Sequence, residues 1–280
     1  MIQCIYWTII IIFIILLIVV IYFEFKKERF IENFKQHCSN RVGTCSKNCP
    51  NIKDINYFGN LTTIDPSIQY NKSIAQILSS ISFGISNSIC KKSLVRPPGF
   101  TKSVNLNSYG YILISKRIIC IVFSGTLSLS ELKSDLDYKQ INIDDNILVH
   151  EGFYKIYLSI QDIIKKTIEN TNFNHLYITG HSLGGALSTL CAFDLRSREN
   201  ITHYSFASPR VGNVKFAEEF NRSKITSFRV NNTEDLIPAL PLATWKDITY
   251  EHVGLNIPFT ISLGSLMKNH MDAYRDYLPN

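Results

Sequence analysis

The pentapeptide Gly180-His181-Ser182-Leu183-Gly184 is where this 280-residue chain has the plainest capacity for covalent chemistry. A serine hydroxyl attacks poorly unless a base takes its proton and a carboxylate orients that base. Downstream of Ser182 there are three histidines, His203, His252 and His270, and an acid, Asp235, in the segment NNTEDLIPALP. The competing reading of Ser182 is a small residue in a Gly-rich turn that merely caps a helix. Asp235 likewise has an ordinary reading as a turn residue before a Pro-containing loop.

The flanking elements weigh on that choice. An apolar strand, 176–179, runs into the pentapeptide, and a helical run, 183–195, leaves it. This strand–turn–helix order is that of a nucleophile elbow, in which a sharp turn lifts the hydroxyl clear of the sheet. Gly180 and Gly184 have no side chains to crowd such a turn. Around it, 109–115 and 117–123 read as strands, and the second is a continuous apolar run of the buried kind. Phe153, Ile156, Tyr157, Ile160, Ile164 and Ile168 mark one face of a helix over 151–169. Strand 201–206, a helix near 213–221 and strand 225–230 follow, and an earlier helix spans about 73–90 before the breaker RPPGF at 96–100. Strands alternating with helices predict an α/β domain with a mostly parallel central sheet flanked by helices.

In such a domain the reactive residues gather at the carboxyl ends of the strands, and their chain order is Ser, then acid, then His. Asp235 follows strand 225–230 and fits, whereas Asp194 lies in the helix after Ser182 and should point away. Asp247 and Asp272 are less well placed. His203 sits inside the apolar strand ITHYSF and reads as structural, while His252 and His270 both fall in late loops.

ITGHSLGGAL, FASPRVGN, RVNNTEDLIPALP and YEHVG, in that order and preceded by IVFSGT and VHEGFYKIY, resemble the class 3 (fungal-type) lipases. The resemblance runs from about Leu106 to Leu278. It implies an α/β-hydrolase fold and hydrolysis of carboxylic esters through an acyl-enzyme, with no metal or organic cofactor. By position it implies Ser182 as nucleophile, Asp235 as acid and His270, ahead of Tyr274, as base, with His252 the second choice. The implied oxyanion donors are Thr126 and the backbone N–H of Leu183. Ser124 stands where many relatives carry Arg, so an ion pair anchoring that loop is expected to be missing. The segment LSLSELKSDLDY, 127–138, stands where the family has its lid, although a plain surface helix fits its pattern equally well. The expected substrates are lipid esters, acylglycerols or phospholipids; a phospholipase A1 or an acyltransferase would use the same triad. A non-catalytic, membrane-tethered binding domain is the alternative from another class.

Ahead of this domain, Ile5 to Phe23 is apolar except for Thr8, which is long enough to cross a bilayer. A cleavable signal peptide fits less well, since no basic residues precede the stretch and no small-x-small site follows it. The reading is a single-pass membrane protein: an anchor at 1–24, a polar Cys-containing stem at 25–60 and the hydrolase domain at 61–280. Topology signals conflict. Lys26, Lys27 and Arg29 after the span place the domain on the cytoplasmic side, whereas sequons at Asn60, Asn71, Asn200, Asn221 and Asn231 suit the lumenal side. Cys38, Cys45, Cys49 and Cys90 could form two disulfides, and Cys120 and Cys191 read as buried thiols. Half of the net charge of +6 gathers beside the span, and no basic patch with interleaved aromatics is present, so no nucleic-acid partner is expected. Nothing in the pattern specifies a protein partner.

Overall fold

The computed structural model describes residues 57, 59–91, 94–125 and 138–279. In chain order these form α1 (Lys72–Lys91), β1 (Lys102–Asn105), β2 (Gly110–Ile114), β3 (Ile118–Phe123), β4 (Gln140–Asp144), β5 (Ile147–His150) and α2 (Glu151–Glu169). Then follow β6 (His175–His181), α3 (Leu183–Asp194), β7 (Ile201–Phe206), α4 (Val214–Arg222) and β8 (Thr226–Asn232). The chain ends with β9 (Thr244–Trp245), β10 (Ile248–Thr249), β11 (Leu255–Phe259), α5 (Leu266–His270) and α6 (Asp272–Asp276).

Among the described residues seven strands make the central sheet, in the order β1-β2-β3-β6-β7-β8-β11. β2 pairs antiparallel with both β1 and β3, and every pairing from β3 to β11 is parallel. The pleat explains why β3 is apolar throughout. Ile119, Ile121 and Phe123 enter one core, and Ile118, Cys120 and Val122 enter the other. On the first face, Phe153, Tyr157, Ile160, Ile164 and Ile168 of α2 pack with Leu187 and Leu190 of α3 and Phe216 and Phe220 of α4. Each such side chain stabilises the fold by roughly 1.5–3 kcal/mol. On the second face, Ile74, Leu78, Ile81 and Ile85 of α1 cover Tyr204, Phe206, Phe228 and Val230.

Parallel pairing brings the carboxyl ends of the strands to one edge. Phe123 lies opposite Gly180, and His181 opposite Phe206. The loops that leave β3, β6 and β8 therefore emerge side by side, carrying Gly125, Ser182 and Asp235.

Several elements were not foreseen in the sequence: the β1 edge, the β4–β5 and β9–β10 hairpins, and β11. β11 holds Pro258, which a sheet tolerates at an edge where no further strand needs its missing N–H. Cys120 and Cys191 are buried free thiols. Tyr57, whose hydroxyl donates to the Val95 carbonyl at 2.6 Å, packs against the α1 side of this body.

The expectation of a single-pass membrane protein is corrected. Among the described residues no helix is long and apolar enough to cross a membrane. The longest, α1, mixes its isoleucines with serines and a glutamine and lays its apolar face on the sheet. The stretch Ile5–Phe23, the stem with Cys38, Cys45 and Cys49, and the side chain of Cys90 lie outside the described residues.

Candidate active site

Ser182 occupies the turn between β6 and α3 with φ 59° and ψ −125°. A non-glycine residue held there costs about 1–3 kcal/mol, a strain typical of sites where the surroundings over-determine the backbone. The turn closes only because its flanks are bare. A Cβ on Gly180 would stand 2.2 Å from the Gly184 carbonyl oxygen, and one on Gly184 would stand 2.4 Å from that of Phe123. The capping alternative fails, because the Ser182 side chain makes no cap hydrogen bond to α3.

Its hydroxyl instead lies 2.9 Å from His270 Nε2. The other ring nitrogen, Nδ1, lies 2.8 Å from Asp235 Oδ2. A carboxylate can only accept, so Nδ1 carries the hydrogen and Nε2 presents its lone pair to the serine hydroxyl. All three residues are buried, with 3–6% of their surface exposed. His270 comes from the end of α5 and Asp235 from the loop after β8.

A buried carboxylate needs several donors. Besides His270, Asp235 accepts from Tyr274 Oη at Oδ2 (2.9 Å) and from the Ile237 N–H at Oδ1 (3.0 Å). Tyr274 in turn accepts from the Asn232 N–H at 2.8 Å. Burial and the neighbouring Asp235 hold the Tyr274 phenol well above its usual range, so it stays a donor. Asn232 ties the loop of Asp235 to the segment leading into His270, bonding the Ile261 N–H and the carbonyls of Ile261 and Asn269.

The other candidates go elsewhere. His252 Nε2 donates to the Pro238 carbonyl at 2.8 Å, and burial with the charges of Arg229 and Arg210 pushes it down to about 3. His203 bridges Ser188 and Ser227 within the core, and burial lowers it to about 3. Asp194 accepts from Tyr157 and Gln161 on the helical face. Asp247 is exposed, and Asp272 pairs with Arg275.

Leu183 begins α3, so its N–H belongs to the first turn, where no intrahelical acceptor exists. Thr126 and the 127–137 segment lie outside the described residues. The preceding loop is described. Ser124, at the position expected to lack an ionic anchor, donates to Ser86 Oγ of α1 at 3.1 Å, and the Gly125 N–H reaches the same oxygen at 3.4 Å. A neutral hydroxyl pair thus ties this loop to the helix beneath it.

Two side chains at the site escaped sequence reasoning. Ser86 belongs to a serine-rich helix, and its partners Ser124 and Gly125 are distant in the chain. His181 stood inside the pentapeptide, where its neighbour drew the attention; its Nε2 lies 2.7 Å from the His270 carbonyl oxygen.

A family model described as lipase (class 3) matches residues 120–245. Over that segment, a little under half of the chain, the sequence is similar to the class 3 lipases. Over 156 residues it is 34% identical to a lipase of Caenorhabditis elegans, a match covering 50% of this chain and 43% of that protein. It is 32% identical over 165 residues to the secreted mono- and diacylglycerol lipase A of Penicillium cyclopium, covering 55% and 52%. The chain thus spans about half the length of these curated relatives. Among solved structures, the Rhizomucor miehei triacylglyceride lipase superposes with a TM-score of 0.50 at 28% identity, covering 57% of this chain and 65% of that one. The class 3 lipase match includes Thr126, Ser182, Leu183 and Asp235, while His270, Tyr274 and Ser86 lie outside it.

Proposed function

We propose that this chain is a class 3 lipase family member and a serine hydrolase of carboxylic esters, acting on lipid acyl esters and most directly on acylglycerols. The observation that carries the reading is the unbroken line Ser182 Oγ, His270 Nε2, His270 Nδ1, Asp235 Oδ2, with gaps of 2.9 and 2.8 Å, at a strained strand–helix turn. The acylglycerols named for the fungal relatives support the substrate class.

In this reading Ser182 Oγ attacks the ester carbonyl as His270 Nε2 takes its proton. Asp235 remains ionised, holds the ring in the required tautomer and stabilises the imidazolium. The oxyanion is met by the N–H of Leu183 and by Thr126, and each such preorganised donor is worth roughly 3 kcal/mol of barrier. His270 then protonates the departing alcohol, leaving an acyl-serine. Water attacks in turn, giving its proton to His270, and the acid product leaves as Ser182 is restored. The hydrolase domain of this proposal is 61–280.

The test compares wild type with Ser182→Ala on p-nitrophenyl esters of graded chain length and on mono- and diacylglycerols. The reading expects a fall in kcat of at least about a thousandfold. Equal rates for the two proteins would refute it.

A further inference from the structure

His181 precedes the nucleophile in the chain and is fully buried, yet its bonds run to the base. Its Nε2 lies 2.7 Å from the His270 carbonyl oxygen. A carbonyl only accepts, so Nε2 carries the hydrogen. His270 is the last residue of the five-residue α5, where carbonyls have no intrahelical donor, and His181 supplies one from the neighbouring strand. The imidazole itself is held on several sides. Phe83 of α1 packs on it with ring centroids 4.7 Å apart, His270 at 4.6 Å and Tyr274 at 5.5 Å. Toward the loop after β3, a Cβ on Gly125 would stand 3.6 Å from His181 Nδ1. Burial first, and the nearby His270 second, keep His181 well below the usual histidine range, so it acts as a neutral donor.

From this geometry we infer that His181 is a positioning residue: it fixes the backbone of His270 against the strand that carries Ser182. The inference rests on the proposed roles of Ser182 and His270. His181 is the last residue of β6, whose backbone is paired on both sides, and Ser182 follows it directly in the turn. A bond from His181 to the His270 main chain therefore sets the distance between nucleophile and base, independently of the hydrogen bond between them. The other bonds of α5, from His270 to Asp235 and from Asn269 to Asn232 and Glu234, tie it to the end of β8 and the loop after it rather than to the strand that leads into Ser182. The role needs a donor at the far edge of the ring, whose flat body fills the space among Phe83, His270 and Tyr274. Phe supplies only the ring, and Gln supplies the donor at a similar reach.

The experiment measures kcat and KM of His181→Phe, His181→Gln and Phe83→Leu on a short-chain p-nitrophenyl ester, with thermal midpoints and Ser182→Ala alongside. His181→Phe is expected to lower kcat about tenfold to a hundredfold, as small misplacements of reacting groups do, with KM within about twofold. His181→Gln should return kcat to within about threefold of wild type, which a purely structural role for the ring would not predict. Wild-type kcat in folded His181→Phe, or a kcat in His181→Gln as low as in His181→Phe, overturns the inference. If His181→Phe does not fold, the other pair decides. Near-wild-type kcat in His181→Gln with a several-fold fall in Phe83→Leu supports the role; a large fall in His181→Gln overturns it. An inactive Ser182→Ala beside a fully active His181→Phe would overturn this inference alone and leave the hydrolase reading standing.

Discussion

Tyr274 and His270 donate to one and the same oxygen, Asp235 Oδ2, at 2.9 and 2.8 Å. Their shared acceptor makes the tyrosine part of what aims the carboxylate. Tyr274→Phe removes a hydrogen bond to a charged group and also leaves the Asn232 N–H without its partner. The expected cost is about 2 kcal/mol of stability, measured by urea unfolding, and a fall in kcat of about fivefold to tenfold. An unchanged kcat would show that Ile237 and His270 suffice to hold Asp235.

Stability should fall in mild acid. Burial holds His203 down to about 3, and burial with Arg229 and Arg210 does the same to His252, against 6.5 for the free side chain. Below pH 6.5 the unfolded chain takes up protons that the folded chain refuses, so stability drops as pH falls from about 6.5 toward 3 and is flat above. At pH 5 each histidine accounts for about 2 kcal/mol of that loss, at 1.36 kcal/mol per pH unit. Urea midpoints at pH 7.5 and 5.0 measure it, and His203→Gln should show a shallower dependence. Equal slopes for wild type and variant would contradict this account.

Gly184→Ala should be among the most damaging small changes in the chain. Its methyl would press on the backbone carbonyl of Phe123 at 2.4 Å, which cannot yield without moving β3. Loss of soluble, cooperatively unfolding protein, or destabilisation beyond about 3 kcal/mol, is expected. A thermal midpoint equal to wild type would mean the turn is laxer than described.

Ser86→Ala removes the hydroxyl that receives both Ser124 Oγ and the Gly125 N–H. Stability should fall by only about 1 kcal/mol, since Ser124 Oγ keeps its bond to the Gly125 carbonyl. If the loop after β3 carries oxyanion donors, kcat should fall several-fold with KM little changed. Equal kcat for Ser86→Ala and wild type would separate this bond from catalysis.

How much of this was legible beforehand follows from how local each signal is. The α2 stripe and the unbroken apolar run of β3 are set by neighbours in the sequence, and both elements formed where their periodicity placed them. Ser182 was legible for the same reason, because strand, turn and helix adjoin. The choice between its two readings was not, since it turns on a φ of 59° and on where the hydroxyl points. His270 and His252 could not be separated in the sequence by type or setting. What separates them is the packing of α5 against the end of β6 and the turn after it, which brings together residues 88 positions apart. β11 escaped because LNIPF is half exposed and holds a proline, features of an edge strand rather than a core one. His181 and Ser86 act through bonds to distant main chain or hydroxyls, for which no periodic pattern exists.

The central claim is that Ser182 Oγ is the attacking atom, and covalent trapping tests it most directly. The protein is treated with a fluorophosphonate, digested, and the adduct located by mass spectrometry while ester hydrolysis is followed in parallel. The account expects one phosphonyl group per chain, on the peptide bearing Ser182, gained in step with the loss of activity. Full inactivation with the adduct on another residue, or undiminished hydrolysis with Ser182 fully labelled, would contradict it.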